Sequence, residues 1–99
     1  MNGSVFMSDS QIVQMQWEAQ ANEKYKLMIS KIPLFHRDIA KQVVDKKAVI
    51  NAQQRGAEQV EEGDIILAFF SEVPMTFYSL MIRLFQNVGF DYKRYEPKE

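Results

Sequence analysis

The chain reads as an all-α domain of four helices built on one long central helix. Three observations carry this reading. Apolar residues recur at spacings of three and four along most of the sequence. The two-residue alternation of a strand is missing nearly everywhere. Proline and glycine fall at boundaries rather than inside the periodic runs, at Pro33, Gly56, Pro74 and Gly89. Helices are expected near 17–31, 34–55, 61–72 and 75–88. They form a domain over 16–90, with tails at 1–15 and 91–99. A compact four-helix unit with a central helix of this kind also admits a histone-fold-like half.

The first helix rests on Trp17, Ala21, Tyr25, Met28 and Ile32, which make one stripe. Pro33 closes it, because the residue before a proline leaves the α region. Pro33 also suits the start of the central helix. On that helix Phe35, Ile39, Val43 and Ile50 project from one side, with Val49 beside them, and are expected to face the core. Ile39→Asp would then bury a carboxylate and cost several kcal/mol, on the order of transfer estimates for unpaired polar groups. Gly56 stops the helix after Arg55. Ala57 to Val60 reads as a short extended link. Glu61, Glu62 and Asp64 then crowd the start of the third helix, where acids favour the dipole. Pro74 opens the fourth helix and Gly89 ends it. The charged tail FDYKRYEPKE is expected to fray, and residues 1–15 to form a mobile tail or a short helix.

Composition narrows the function classes. Ninety-nine residues at 46% hydrophobic make one globular domain. There is no cysteine, so disulfides, thiolate catalysis and Cys-held zinc or iron–sulfur clusters are excluded. The first residues lack the basic start and apolar core of a secretory signal. No apolar run approaches the roughly 20 residues that span a bilayer. The default is a cytoplasmic protein without a membrane segment.

Charge is segregated under a net −1. Glu23 to Arg55 holds eight Lys/Arg against three Asp/Glu, and Gly56 to Glu72 holds five acids and no base. Such segregation steers a partner, or simply marks two solvated helix faces. Arg37, Lys41 and Arg55 fall on the side of the central helix opposite its apolar stripe and are the candidate anion-binding surface. Lys24, Lys26, Lys31, Lys46 and Lys47 surround them. A nucleic-acid binder would rest on such charges. The sequence pI of about 5.8 and the lack of a helix-turn-helix or zinc-finger signature argue against one.

No catalytic constellation is present. His36 is the only histidine, with no second base or nucleophile arranged around it. No G-x-S-x-G, G-x-G-x-x-G or G-K-[ST] motif occurs. The acids at 61, 62 and 64 do not follow calcium-loop spacing. The expectation is a non-enzymatic domain with no metal and no cofactor.

The fourth helix, MTFYSLMIRLFQNV, is apolar over most of its circumference, with Arg83 its only charge. A small monomer buries one face of such a helix, so its width points to a second covering surface. A homodimer is the favoured cover, with Phe77, Met81, Leu84 and Phe85 dividing between core and interface. The alternatives are that helix one or the N-terminal tail folds over the face, or that a Met/Phe-lined pocket takes a hydrophobic ligand. A basic polar face for membrane binding is lacking.

One family resemblance emerges once the segments are laid out. Ile32-Pro33, Phe35 and Arg37, then Ala40, Val43, Lys47-Ala48, Arg55-Gly56, Val60, Asp64 and Ala68, with Trp17 and Ala21 upstream, resemble a small helical domain. That domain stands at the C-terminus of the B subunit of light-independent protochlorophyllide reductase, and also occurs alone. The likeness covers about 40 to 50 residues with motifs of low information. It implies an accessory role beside a large iron–sulfur enzyme that reduces a tetrapyrrole, and carries no catalytic residue into this chain. Val60 to Ala68 also resembles the last loop and helix of the histone fold, in which Asp follows an extended residue by four. Against that, the central helix is short, the expected basic residue is displaced to Arg55, and net charge is negative. The expected function is therefore a helical interaction or accessory module, homodimeric or joined to another subunit. The alternatives are a histone-like nucleic-acid binder and a small tetrapyrrole or hydrophobic-ligand binder.

Overall fold

The computed structural model describes residues 15–97; the expected tail over 1–14 lies outside the described residues, as do 98 and 99. Four helices appear where the periodicity placed them. They are α1 (Ala19–Ser30), α2 (Leu34–Gln54), α3 (Glu62–Glu72) and α4 (Tyr78–Val88). Short 3-10 turns at Met75–Phe77 and Lys93–Tyr95 flank α4. Two strands of two residues, β1 (Gln16–Trp17) and β2 (Gln59–Val60), pair in parallel with Trp17 opposite Val60. No helix among the described residues is long and apolar enough to cross a membrane. The apolar pair α3 and α4 is bent by 119° at Pro74 and supplies much of the core.

Residue types explain the ends. The Glu18 carboxylate accepts from the Ala21 and Gln20 amides at 2.8 and 3.2 Å and caps α1, and these bonds hold its pKa below the usual value. Gly56 takes φ +74° at the end of α2. Its amide donates to the Gln53 carbonyl, and the Ala57 amide donates to the Ala52 carbonyl, closing a Schellman motif. Gly89 does the same work for α4 at φ +84°. There the Phe90 amide reaches the Phe85 carbonyl, and the two rings pack with centroids 6.0 Å apart. That is the apolar contact which commonly accompanies this helix ending.

The core is one cluster. Met28, Val44, Val60, Ile65, Ile66, Phe69 and Phe85 are its largest fully buried side chains. Ala21, Tyr25, Met28 and Ile32 bury the expected stripe of α1. Trp17 joins it from outside the helix. It sits in β1, half-buried, and stacks on Tyr25 at 5.3 Å. The expected start at residue 17 is thus two residues early, because the backbone there is extended and pairs with β2.

Two further expectations are corrected and one is refined. The core-facing stripe of α2 is Val44, Ala48, Val49 and Ala52; of the expected set Val49 is buried and Val43 packs against the core, whereas Phe35 and Ile39 are exposed and Ile50 is half-buried. Phe35 is 96% exposed and Ile39 57%. The reason is steric. α3 packs along the second half of α2, where Ala48 and Ala52 let two backbones approach closely, and bulk alone misidentifies such a face. Next, residues 91–95 do not fray. Tyr92 is buried against Phe85 at 5.6 Å with nearly parallel rings, Tyr95 is half-buried, and the Asp91 amide donates to Glu62 at 2.9 Å. Finally, the wide apolar girth of α4 is covered only in part within the described residues, and Leu80, Met81 and Leu84 face a cleft. Ser79, Arg83, Gln86 and Asn87 form its exposed stripe, while Phe90, Tyr92 and the flank of α1 cover much of the rest.

Candidate functional site

Among the described residues, the apolar surface left unpartnered lies around the start of α2. By the helical rise, α2 is roughly 31 Å long and α3 roughly 16 Å. α3 covers the second half of α2, so the first two turns of α2 stand clear of it. Pro33 and Pro74, both with extended ψ near 140–148°, turn the chain at the ends of α1 and α3. Between these turns opens a cleft of about 300 Å³. Met28 and Ile32 from α1 and Phe69 from α3 line it. His36, Ile39, Ala40 and Val43 of α2 form one wall, and Phe77, Leu80, Met81 and Leu84 form the other. Glu72, Val73 and the two prolines complete it.

The lining is almost wholly apolar. Its two ionisable groups, His36 and Glu72, are exposed at the rim. The His36 imidazole rests against Phe77, ring centroids 5.2 Å apart and tilted by 54°. Among the described residues no three His, Cys, Asp or Glu side chains lie close enough together to hold a metal ion. The arrangement suits burial of apolar atoms rather than proton or electron transfer. Phe35 stands at the lip of the cleft, one turn before Ile39 on the same helix row, and Met75, 78% exposed, follows Pro74 on the far side.

The candidate interface residues divide in two. Phe77, Met81 and Leu84 line the cleft, whereas Phe85 is fully buried in the core. The candidate anion-binding residues do not form one patch. Arg37 folds back over the end of α1, donating from Nη2 to the Ser30 carbonyl at 2.9 Å and from Nη2 and Nε to the Ile32 carbonyl at 3.0 and 3.2 Å. There it satisfies carbonyls that the helix end leaves free. Lys41 pairs with Asp45 at 2.7 Å. Asp45 also accepts from the Tyr25 hydroxyl, whose pKa is raised first by burial and then by that hydrogen bond. Arg55 lies about 27 Å beyond Arg37 along the helix axis. It grips Asp64 with two bonds of 2.7 and 2.8 Å, which raise its pKa further.

The acids expected to begin α3 do so. The buried Asp64 carboxylate accepts from the Glu61 amide at 2.9 Å and receives Arg55 as well. Glu62 ties Lys24 and the Asp91 amide to the same corner. A Met/Phe-lined pocket was only an alternative at sequence level and its α2 wall was missed, although a signal for that wall exists. α2 carries two apolar rows, 35/39/43 and 44/48/52, which is more than one packed face needs.

No family model matches the chain, and neither a curated protein nor a solved structure matches it.

Proposed function

We propose that this domain is a non-enzymatic helical interaction module whose cleft receives apolar side chains of another polypeptide. One observation carries this. An open apolar cleft lies beside large apolar side chains, Phe35, Ile39 and Met75, that are largely exposed among the described residues. A contiguous surface of that kind marks a docking site more than scattered exposed residues do.

The resemblance to the reductase accessory domain fits the same reading. Many residues that carry it have work inside the domain. Arg37 closes α1, Arg55 holds Asp64, Gly56 ends α2, and Ala21, Ala48, Val60 and Ala68 are buried. Among its apolar positions, Phe35 alone is neither packed against the core nor lining the cleft. An accessory role to another subunit is consistent with a side chain placed there for a partner.

A second reading draws on the cleft volume. About 300 Å³ reaches the lower end of small-molecule sites, so a small apolar ligand is the alternative occupant. The nucleic-acid reading gains no support from Arg37, Lys41 and Arg55, each engaged by a partner in the chain.

A photoreactive phenylalanine analogue at position 39 tests the proposal in cells. Discrete protein adducts are expected from position 39 and none from exposed Glu58, far along the chain. Absence of any protein adduct, with a small molecule retained by the purified domain in native mass spectrometry, would refute it in favour of the ligand reading.

A further inference from the structure

We infer, resting on that docking reading, that His36 and Phe77 form a proton-sensitive latch at the rim of the cleft, which tightens when the imidazole is charged. Two matching turns build it. His36 and Phe77 each stand three residues after a proline. The His36 amide donates to the Pro33 carbonyl and the Phe77 amide to the Pro74 carbonyl, both at 2.9 Å. Each proline fixes its own φ, so the two rings are carried on short, hydrogen-bonded turns that begin opposite walls. Their centroids lie 5.2 Å apart. Behind them α2 packs mainly on α3 and α1, and α4 mainly on α1. The ring pair is therefore a direct tie between walls that rest chiefly on other elements.

Neither ring belongs to the core. His36 is exposed and Phe77 half-buried, so either side chain turns aside without disturbing the packing beneath. An apolar guest seated against Phe77 competes with the imidazole for that ring. Charge sets the strength of the competitor. Histidine changes charge between about pH 5 and 8, and this chain has one. A charged imidazole beside an aromatic ring gains a cation–π attraction that the neutral form lacks. The surrounding charges come from each neighbouring element. Glu72, which ends α3 on the same rim, attracts the imidazolium, and Asp38 does so from α2. Exposed Lys31, at the end of α1, opposes it. Arg37 is adjacent in sequence, with its guanidinium spent on the Ser30 and Ile32 carbonyls. The Met75–Phe77 turn brings no charge, and the Tyr78 hydroxyl beyond it donates to Glu96 at 3.0 Å.

Toluene is an uncharged probe of the cleft, and the Met28 and Met81 methyl groups that line it report binding by NMR. The full chain is expected to bind toluene roughly two- to fivefold more tightly at pH 8 than at pH 5, the factor that corresponds to a cation–π contact at an exposed site. His36→Gln alters an exposed position and is expected to fold normally and to bind toluene equally at both pH values. The single histidine gives one unambiguous set of imidazole signals. Its cross-relaxation with the Phe77 ring protons reads the latch itself and is expected to be stronger at pH 5. Equal toluene affinity at the two pH values in the native chain, tighter binding at pH 5, or no binding at pH 8 overturns the latch. A pH dependence that survives in His36→Gln, or cross-relaxation that weakens at pH 5, overturns it as well. In each of these cases protein adducts from position 39 would keep the docking reading standing.

Discussion

Removing either partner of the Arg55–Asp64 pair should cost nearly as much as removing both. Asp64 has 3% of its side chain exposed and accepts three bonds, two from Arg55 at 2.7 and 2.8 Å and one from the Glu61 amide at 2.9 Å. Asp64→Ala loses a helix-start bond worth about 1 kcal/mol. It also loses charge-assisted bonds worth roughly 1.5–3 kcal/mol before discount. Arg55 is 47% exposed, so its freed guanidinium rehydrates and the discount is real. The net is about 3 kcal/mol. Arg55→Ala should cost about the same for a different reason, since it leaves a buried carboxylate without its counter-charge. In the double variant neither group is stranded, so its cost should stay near 3 to 4 kcal/mol, a coupling of roughly 2 kcal/mol. Urea denaturation followed through Trp17, the only tryptophan, measures all four corners. Each single variant should melt roughly 10–20 °C lower. A double-variant cost within about 0.5 kcal/mol of the sum of the singles would refute the reasoning, because it would mean the two side chains act independently.

Three other outcomes follow from the same packing. Ile39→Asp should change stability by less than about 1 kcal/mol, whereas Ala48→Asp, about two and a half turns along the same helix but fully buried, should cost several kcal/mol; two urea titrations decide it. Tyr25 has its pKa raised above the unfolded value of 10.0. Its contribution is therefore full below pH 10 and fades as pH climbs above it, so Tyr25→Phe, losing about 1 kcal/mol at neutral pH, should narrow its deficit in melts taken from pH 9 to 11. Parallel curves would contradict this. At Gly63 an added Cβ would come within 2.6 Å of the Tyr95 hydroxyl. Gly63→Ala should therefore displace the Lys93–Tyr95 turn, and Tyr95→Ala should convert the same substitution into a gain of up to about 1 kcal/mol from helix propensity.

Four helices, their order and most of their ends were legible because periodicity, two prolines and two positive-φ glycines act locally. The face of α2 was not. Its packed row is built from Val44 and the small Ala48 and Ala52, whose value lies in letting α3 come close, a property that only the neighbouring helix defines. β1 and its pairing with β2 escaped for a related reason. Two residues show no alternation, and their pairing joins positions 43 residues apart, Trp17 and Val60. The roles of Arg37 and Arg55 were hidden by composition, since a guanidinium on a helix reads as surface charge until its carbonyl or carboxylate partner is placed.

The misassigned row on α2 is also where function concentrates. A helix of 21 residues paired with one of 11 has turns to spare, and a chain selected only for packing would fill those turns with polar residues. This chain instead keeps Phe35 and Ile39 there, beside a cleft floored by Phe69, Phe77 and Met81. Sequence reasoning assigned the two side chains to the core because apolar residues at helical spacing usually belong there. It placed further apolar surface on α4, which Phe90 and Tyr92 help to cover and whose Leu80, Met81 and Leu84 line the cleft. The error on α2 has a simple cause. The total of apolar side chains exceeds what a single 99-residue core uses, and only the fold decides which end carries the surplus. The surplus sits at the start of α2, so substitutions there should spare folding and change association, while those at Met81 and Leu84 should change both.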